Sequence, residues 1–480
     1  MHARHCALVI LGSFLSACAM GPEFQRPAAP DTGRYTPGEQ PATTAAATGE
    51  AGEAQRFVGG ASLPGRWWES FQCEALNALV GQALAHSPTV LEARARLRQA
   101  QADLSAQARG TLYPGVDAQL GVTRQKVDPA AFGIPNVPSA PPFTLYNAQV
   151  NVSYTLDLFG ANRRLLESLR AQSEYQSYET EAAELTLAAN VVAAAIRQAD
   201  LEAQLDYTRQ LLAAESRQVA ISEERYQAGG IALADLENRR SQLAQLRAAL
   251  PVLEAERQQI DHQLAVYTGK PPSEAATARF RLSDLRLPTE LPVTLPAELV
   301  RRRPDVRASE ALWHAAGANV GVATANLLPS LTLAGNAGSD ATSASTFADS
   351  FNVWSIGARV LQPIFRAGEL RAKRRAAQAA YDAAAQAYEQ TVLVSLQQVA
   401  DCLRILEGDA LALQARAAAS EQSAGSYGVA RQRFDAGGIS EYSLLDAQRL
   451  QLQTALERSH AAALRLTDTA ALLHALAGSA

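Results

Sequence analysis

Cysteine and histidine are the side chains with the most nucleophilic and metal-binding chemistry to offer, and this 480-residue chain holds 4 of the first and 7 of the second. His86, His262, His314, His460 and His474 stand singly along helical stretches, without the spacing that would let them share a metal ion. No glycine-rich loop follows a strand-like run, so a phosphate cradle is missing too. These patterns argue against an enzyme and call for no cofactor or metal. Cys73 and Cys402 lie far apart in sequence and are expected as two separate, partly buried thiols. With a net charge of −5 and no basic block interleaved with aromatics, nucleic acid is not the expected partner.

One thiol has a telling context. His2, Arg4 and His5 precede an apolar stretch, Ala7 to Leu15, too short to span a bilayer, so residues 1–17 read as an export signal. Leu15-Ser16-Ala17-Cys18 resembles a bacterial lipobox, in which a thiol is the only side chain able to carry a thioether-linked lipid. Cys18 is therefore the expected lipidation site, and Ala19 after it fits outer-membrane sorting. Residues 18–64, rich in Pro, Gly, Ala and Thr, cannot bury enough apolar surface to fold alone and read as a lipidated tether or wrapping arm. Trp67 and Trp68 announce the ordered body.

Two long proline-free helices dominate that body, at about 161–226 and 366–436. The second carries Val392, Leu396, Val399, Leu403, Leu406, Ala410, Leu413 and Ala417 at steps of four and three, the spacing of a packed seam. Leu187, Val191, Ala194, Leu201, Leu205, Leu212 and Val219 do the same in the first. At about 1.5 Å per residue each run reaches on the order of 100 Å. The design occurs twice: Arg225-Tyr-Gln-Ala-Gly-Gly-Ile231 returns 208 residues later as Arg433-Phe-Asp-Ala-Gly-Gly-Ile439. Each Gly-Gly separates a long helix from a return helix, 232–267 in the first copy, where Pro251 should kink it. The chain thus reads as a tandem duplication, with repeats at 65–269 and 297–480 joined by a connector at 270–296.

Each repeat also carries two stretches with one greasy and one wet face. They fall at about 116–123 and 148–158, and again at 330–336 and 352–361, where Trp354, Ile356, Ala358 and Val360 share a face. The intervening loops, 126–144 and 337–350, show no core pattern. Strands near ten residues long with aromatic residues at their ends, behind an export signal, suit part of a membrane barrel better than a half-buried soluble sheet. Open strand edges cannot face lipid, so four strands span only by closing with further copies.

In this order over nearly the whole chain, the lipobox, Gly21-Pro22-Glu23-Phe24-Gln25-Arg26-Pro27, Trp67-Trp68, the two Gly-Gly hairpins and Arg301-Arg302-Arg303-Pro304-Asp305 resemble the outer-membrane factor family. The likeness is to its lipoprotein branch, with TolC-like and OprM-like members. It implies a mainly α fold with a membrane β-barrel portion: duplicated long helices forming a periplasmic α-barrel, and four strands per chain joining a twelve-stranded barrel in a homotrimer. It further implies outer-membrane lipid, a periplasmic adaptor and an inner-membrane pump as partners, and a passive exit for drugs, solvents or metals. The exit channel of a type I protein or peptide secretion system shares that architecture; a lipid-anchored periplasmic coiled-coil scaffold would explain the helices but not the strands. The lipobox favours small-molecule efflux.

The resemblance places Gly229, Gly230, Gly437 and Gly438 at the hairpin tips where the adaptor docks. It puts Asp446 at the periplasmic aperture, with Asp235 as its first-copy counterpart and Arg225 and Arg433 as cations able to pair with such acids. Phe434 stands where TolC-like channels carry a gate tyrosine and Ser443 where they carry a second acid, so the latch is expected to differ here.

Overall fold

The computed structural model describes residues 19–28, 32–38, 41–60, 63–129, 133, 138–139, 141–275, 279–343, 345 and 353–478. The export signal and Cys18 lie outside them. In chain order the elements are β1 (Arg56–Gly59), α1 (Glu74–His86), α2 (Pro88–Leu112), β2 (Gly115–Gln125), β3 (Phe143–Leu156), α3 (Ala161–Gln227) and α4 (Leu233–Tyr267). Then come β4 (Glu290–Val293), α5 (Pro296–Arg302), α6 (Pro304–Ala325), β5 (Ser330–Ala341), β6 (Val353–Leu361), α7 (Glu369–Asp435) and α8 (Glu441–Leu476). Both long helices are 67 residues long and start 208 residues apart, the spacing of the Gly-Gly motifs. α7 begins three residues later than expected, because Ala367 (φ 47°) and Gly368 (φ 85°) take left-handed conformations that a helix cannot include. Pro251 sits inside α4 without ending it.

Two compact units form, one from the described residues of 1–26 with 97–176 and 309–388, the other from 27–96, 177–308 and 389–480. Each sequence repeat contributes to both, so the 270–296 connector does not separate two bodies.

The first unit holds a four-stranded antiparallel sheet in the order β2-β3-β5-β6. Its pairing brings Val116, Val152 and Ile356 onto one face with Ala118, Val150 and Trp354, while Asp117, Asn151, Asn336 and Ser355 fall on the other. The polar face knits itself together: Asn151 Nδ2 donates to Gln119 Oε1 at 3.4 Å, and Asn336 Nδ2 to Gln149 Oε1 at 3.0 Å. The apolar face is open, with Val116 64%, Trp354 74% and Ile356 84% exposed. β3 starts five residues earlier than the alternation indicated, and β5 runs five residues further. Loop-like composition hid these extensions, which exist because the partner strands offer ladder bonds there, Gln125 facing Phe143 and Tyr146 facing Ala341.

The second unit packs around the aromatic pair. Trp67, Phe71 and Leu76 are fully enclosed in one cluster with Val191, Val192 and Ile196 of α3 and with Leu403, Leu406 and Leu413 of α7, each such large apolar side chain contributing about 1.5–3 kcal/mol. The α7 seam falls where the periodicity put it, apart from a half-buried Leu396, and continues through Ser420 and Ser423. In α3 Leu211 rather than Leu212 is the buried member. The connector contributes to the core: Phe280, Leu282, Leu285, Leu287 and Leu291 are buried, and β4 pairs in parallel with β1 of the N-terminal arm. A proline-rich composition concealed it, since a four-residue strand is too short to show alternation. Cys73 is buried, Cys402 is half-buried, and both are free thiols. Burial pushes the Cys402 thiol up to about 11.

Candidate functional site

Both hairpin ends are built by the same backbone device. Gly229 stops α3 at φ 74°, its N–H bonded to the Tyr226 carbonyl at 2.9 Å, while the Gly230 N–H reaches the Arg225 carbonyl at 2.7 Å. Gly437 has the same φ of 74°, with Phe434 and Arg433 accepting at the same 2.9 and 2.7 Å. This paired closure of a helix end needs a residue free of a Cβ penalty at positive φ, which explains the first glycine of each pair. The return helices start differently. Ser440 Oγ accepts the Ser443 N–H at 3.3 Å and caps α8, whereas Ala232 has no side chain with which to cap α4.

Charged groups join the two hairpins. Arg217 of α3 grips Glu441 of α8 with both ends of its fork, Nε to Oε1 and Nη2 to Oε2, each at 2.7 Å. That hydrogen bond holds the Glu441 carboxyl below the usual carboxylate range and raises Arg217. Next to it, the Tyr442 ring takes two cations, with the Arg225 guanidinium carbon 5.7 Å and that of Arg239 5.2 Å from its centroid. Arg239 also lies 3.7 Å from Glu215, whose carboxylate is 1% exposed, and Arg240 bridges Glu223 (2.6 Å) and Glu237 (2.8 Å). The first hairpin thus supplies the cations, and the start of α8 supplies an anion and an aromatic face.

The residues named from sequence divide unevenly over this arrangement. Asp446 is exposed and pairs with Arg449 of its own helix at 3.3 Å. Among the described residues neither Arg225 nor Arg433 pairs with Asp446 or Asp235; Arg225 lies over Tyr442, and Arg433 is exposed. The pairing of Asp235 with Asp446 as counterparts fails. At the 208-residue offset that relates the glycines, Leu236 (1% exposed) matches Leu444 (6%), which sets Asn238 opposite Asp446 and Asp235 opposite Ser443. Phe434 is half-buried at the end of α7. Arg217, Arg239, Glu441 and Tyr442 were missed. Their one sequence signal was an acid and an aromatic directly behind the Ser440 cap, and their partners lie more than 200 residues away.

Of the scattered histidines, His86 and His262 are exposed, while His314, His460 and His474 make contacts within the fold. His314 Nε2 lies 2.9 Å from Glu167 and its ring stacks on Phe24, while His460 lies 3.2 Å from the buried Asp200. Burial pushes His474 down. Among the described residues no three His, Cys, Asp or Glu side chains gather as a metal-binding group.

A sequence profile of outer membrane efflux proteins matches residues 79–270 and 295–478. The chain is 30% identical over 480 residues to the pyoverdine export outer membrane protein OpmQ of Pseudomonas putida, spanning 99% of this chain and 97% of the relative. To the toluene efflux pump outer membrane protein TtgF of Pseudomonas putida it is 27% identical over 462 residues, 93% and 90% of the two lengths. Among solved structures, that of the outer-membrane channel OprN superposes with a TM-score of 0.80 at 29% identity, covering 96% of this chain and 99% of that one.

Proposed function

Because the chain belongs to the outer membrane efflux protein family, we propose that it is a passive duct built from three copies, through which small molecules leave after an inner-membrane transporter and a periplasmic adaptor hand them over. Its place is the outer membrane and its role efflux. The observation that carries the rest is the four-stranded sheet: one self-bonded polar face, one exposed apolar face, and strands β2 and β6 left with edges that no other described residue pairs. In lipid such edges must be closed, and further copies of the same sheet close them while turning the polar face toward water.

Several lines support the finer reading. Pyoverdine and toluene stand in the names of two relatives, which favours a permissive small-molecule exit over one dedicated protein cargo. The hairpin ends at Gly229-Gly230 and Gly437-Gly438 offer the adaptor two alike backbone turns, and the Arg217–Glu441 and Tyr442 contacts hold the hairpins together in a closed state. Asp446 lines the aperture, its charge offset by Arg449. Cys18 carries the lipid anchor. The duct itself performs no chemistry and needs no cofactor. Purified protein that runs as an SDS-resistant trimer and conducts in planar bilayers would support this account; acyl labelling abolished by Cys18→Ser would support the anchor. A non-conducting monomer would end the first claim, and unlabelled wild-type protein the second.

A further inference from the structure

The N-terminal arm does more than connect. Arg465 of α8 is fully buried, and its guanidinium is taken up by the arm: Nη1 donates to the Ala51 carbonyl at 3.0 Å, Nη2 to Thr44 Oγ1 and the Glu53 carbonyl at 2.8 Å each, and Nε to Gln55 Oε1 at 3.4 Å. Ala51 takes a left-handed φ of 52° to present its carbonyl. The arm also spans α7, where Gln414 donates to the Ala46 carbonyl at 3.1 Å and Thr48 to Glu421 at 2.6 Å. On α8 it adds the fully buried Gln55, bonded to Thr469 at 3.1 Å.

Asp409 of α7 and Asp468 of α8 lie beside this buckle with their carboxyls in hydrogen-bonding contact. Asp409 Oδ2 is shut off from solvent, and no donor among the described residues reaches it. Two carboxylates so placed cannot both keep their charge, and a single proton between them satisfies both.

We infer that residues 41–59 are a proton-responsive strap, whose grip on α7 and α8 is set by one proton shared between the Asp409 and Asp468 carboxyls. With the proton in place, the pair carries one negative charge, which Arg465 balances. Without it, two negative charges face one cation whose three nitrogens are already bonded to the strap. The second charge either draws Arg465 off the strap carbonyls or drives α7 from α8. Glu53 on the strap also faces Arg465, and Asp468 faces the Cys402 thiol together with Asp401 and Arg303. The Cys402 thiol is only a weak donor, and Arg303 is already bonded to Asp305 and Gln398.

Burial, then the Asp468 carboxyl, raises Asp409 to about 7, with Arg465 opposing. An acid raised in the folded state keeps a proton that the unfolded chain has lost, so its stabilising effect is complete below about pH 4 and fades as pH rises to about 7. The strap therefore holds in acid and loosens toward alkaline pH.

Hydrogen–deuterium exchange of the full chain in detergent tests this, reading the peptides across 41–59 at about pH 5.5 and 8.5 after correction for intrinsic rates. Opening in the wild type is expected to be about tenfold more frequent at the higher pH. Asp468→Asn, and independently Asp409→Asn, supply a permanent donor, so both should keep the strap protected and shrink the difference to less than about twofold. Equal wild-type protection at the two pH values, or a pH dependence that survives in both variants, overturns the proposal. The readout is the strap itself, so the result stands apart from whether the protein conducts.

Discussion

The two hairpin ends share a backbone and differ in chemistry. Their glycines, φ values and closing hydrogen bonds agree, while one end carries Arg217, Arg225 and Arg239 and the other carries Glu441 and Tyr442, which those cations hold. Duplication preserved the glycines that take positive φ without a Cβ penalty. Side chains were free to diverge, and divergence turned two like ends into complementary halves of a clasp.

The largest way to break that complementarity is Tyr442→Ala. Losing two cation–π contacts removes about 1–2 kcal/mol of closure, so the open population should rise about five- to thirtyfold, read as increased single-channel conductance, while Tyr442→Phe keeps the ring and the wild-type behaviour. Next come the features the ends share. Gly229→Ala and Gly437→Ala should each cost about 1 kcal/mol, and equally, in local stability measured by hydrogen exchange at the two tips; unequal costs would mean the shared backbone is not equally needed. The caps sharpen the difference. Ser440→Ala should destabilise the start of α8 by about 1 kcal/mol, whereas Ala232→Ser should gain a few tenths of that at α4, both measurable by exchange in the first turn.

A smaller effect belongs to the Arg217–Glu441 fork, which is exposed and screened by salt. Because its partner depresses the Glu441 carboxyl, the group stabilises the clasp above the unfolded carboxylate value, and that contribution is lost as pH falls through the depressed folded value. Conductance should thus be insensitive to pH near neutrality and rise only in strong acid. Glu441→Gln should remove that acid response. Smallest of all is Asp446→Ala, expected to reduce cation preference and slightly widen conductance, since Arg449 already offsets the charge; unchanged selectivity would remove Asp446 from the aperture.

How much of this the sequence revealed depended on the range of the interaction. The α7 seam at Val392, Val399, Leu403 and Leu406 was readable because a helix repeats its burial every turn, and the hairpin ends because positive φ favours glycine. The limits of β3 and β5 were not, since a strand lengthens wherever a partner offers ladder bonds, whatever its own composition. Nor was the clasp at Tyr442: its arginines come from α3 and α4, and no local pattern announces a contact made only by folding. The connector and the arm looked like linkers because each buries its few apolar residues against the other and against distant helices.

The closing of β2 and β6 edges by further copies of this chain is the central claim, and one measurement meets it most directly: mass determination of the purified full chain in detergent, paired with planar-bilayer recording of the same sample. The account predicts a three-copy particle whose insertion gives discrete conductance steps. A one-copy particle that passes no current would contradict it.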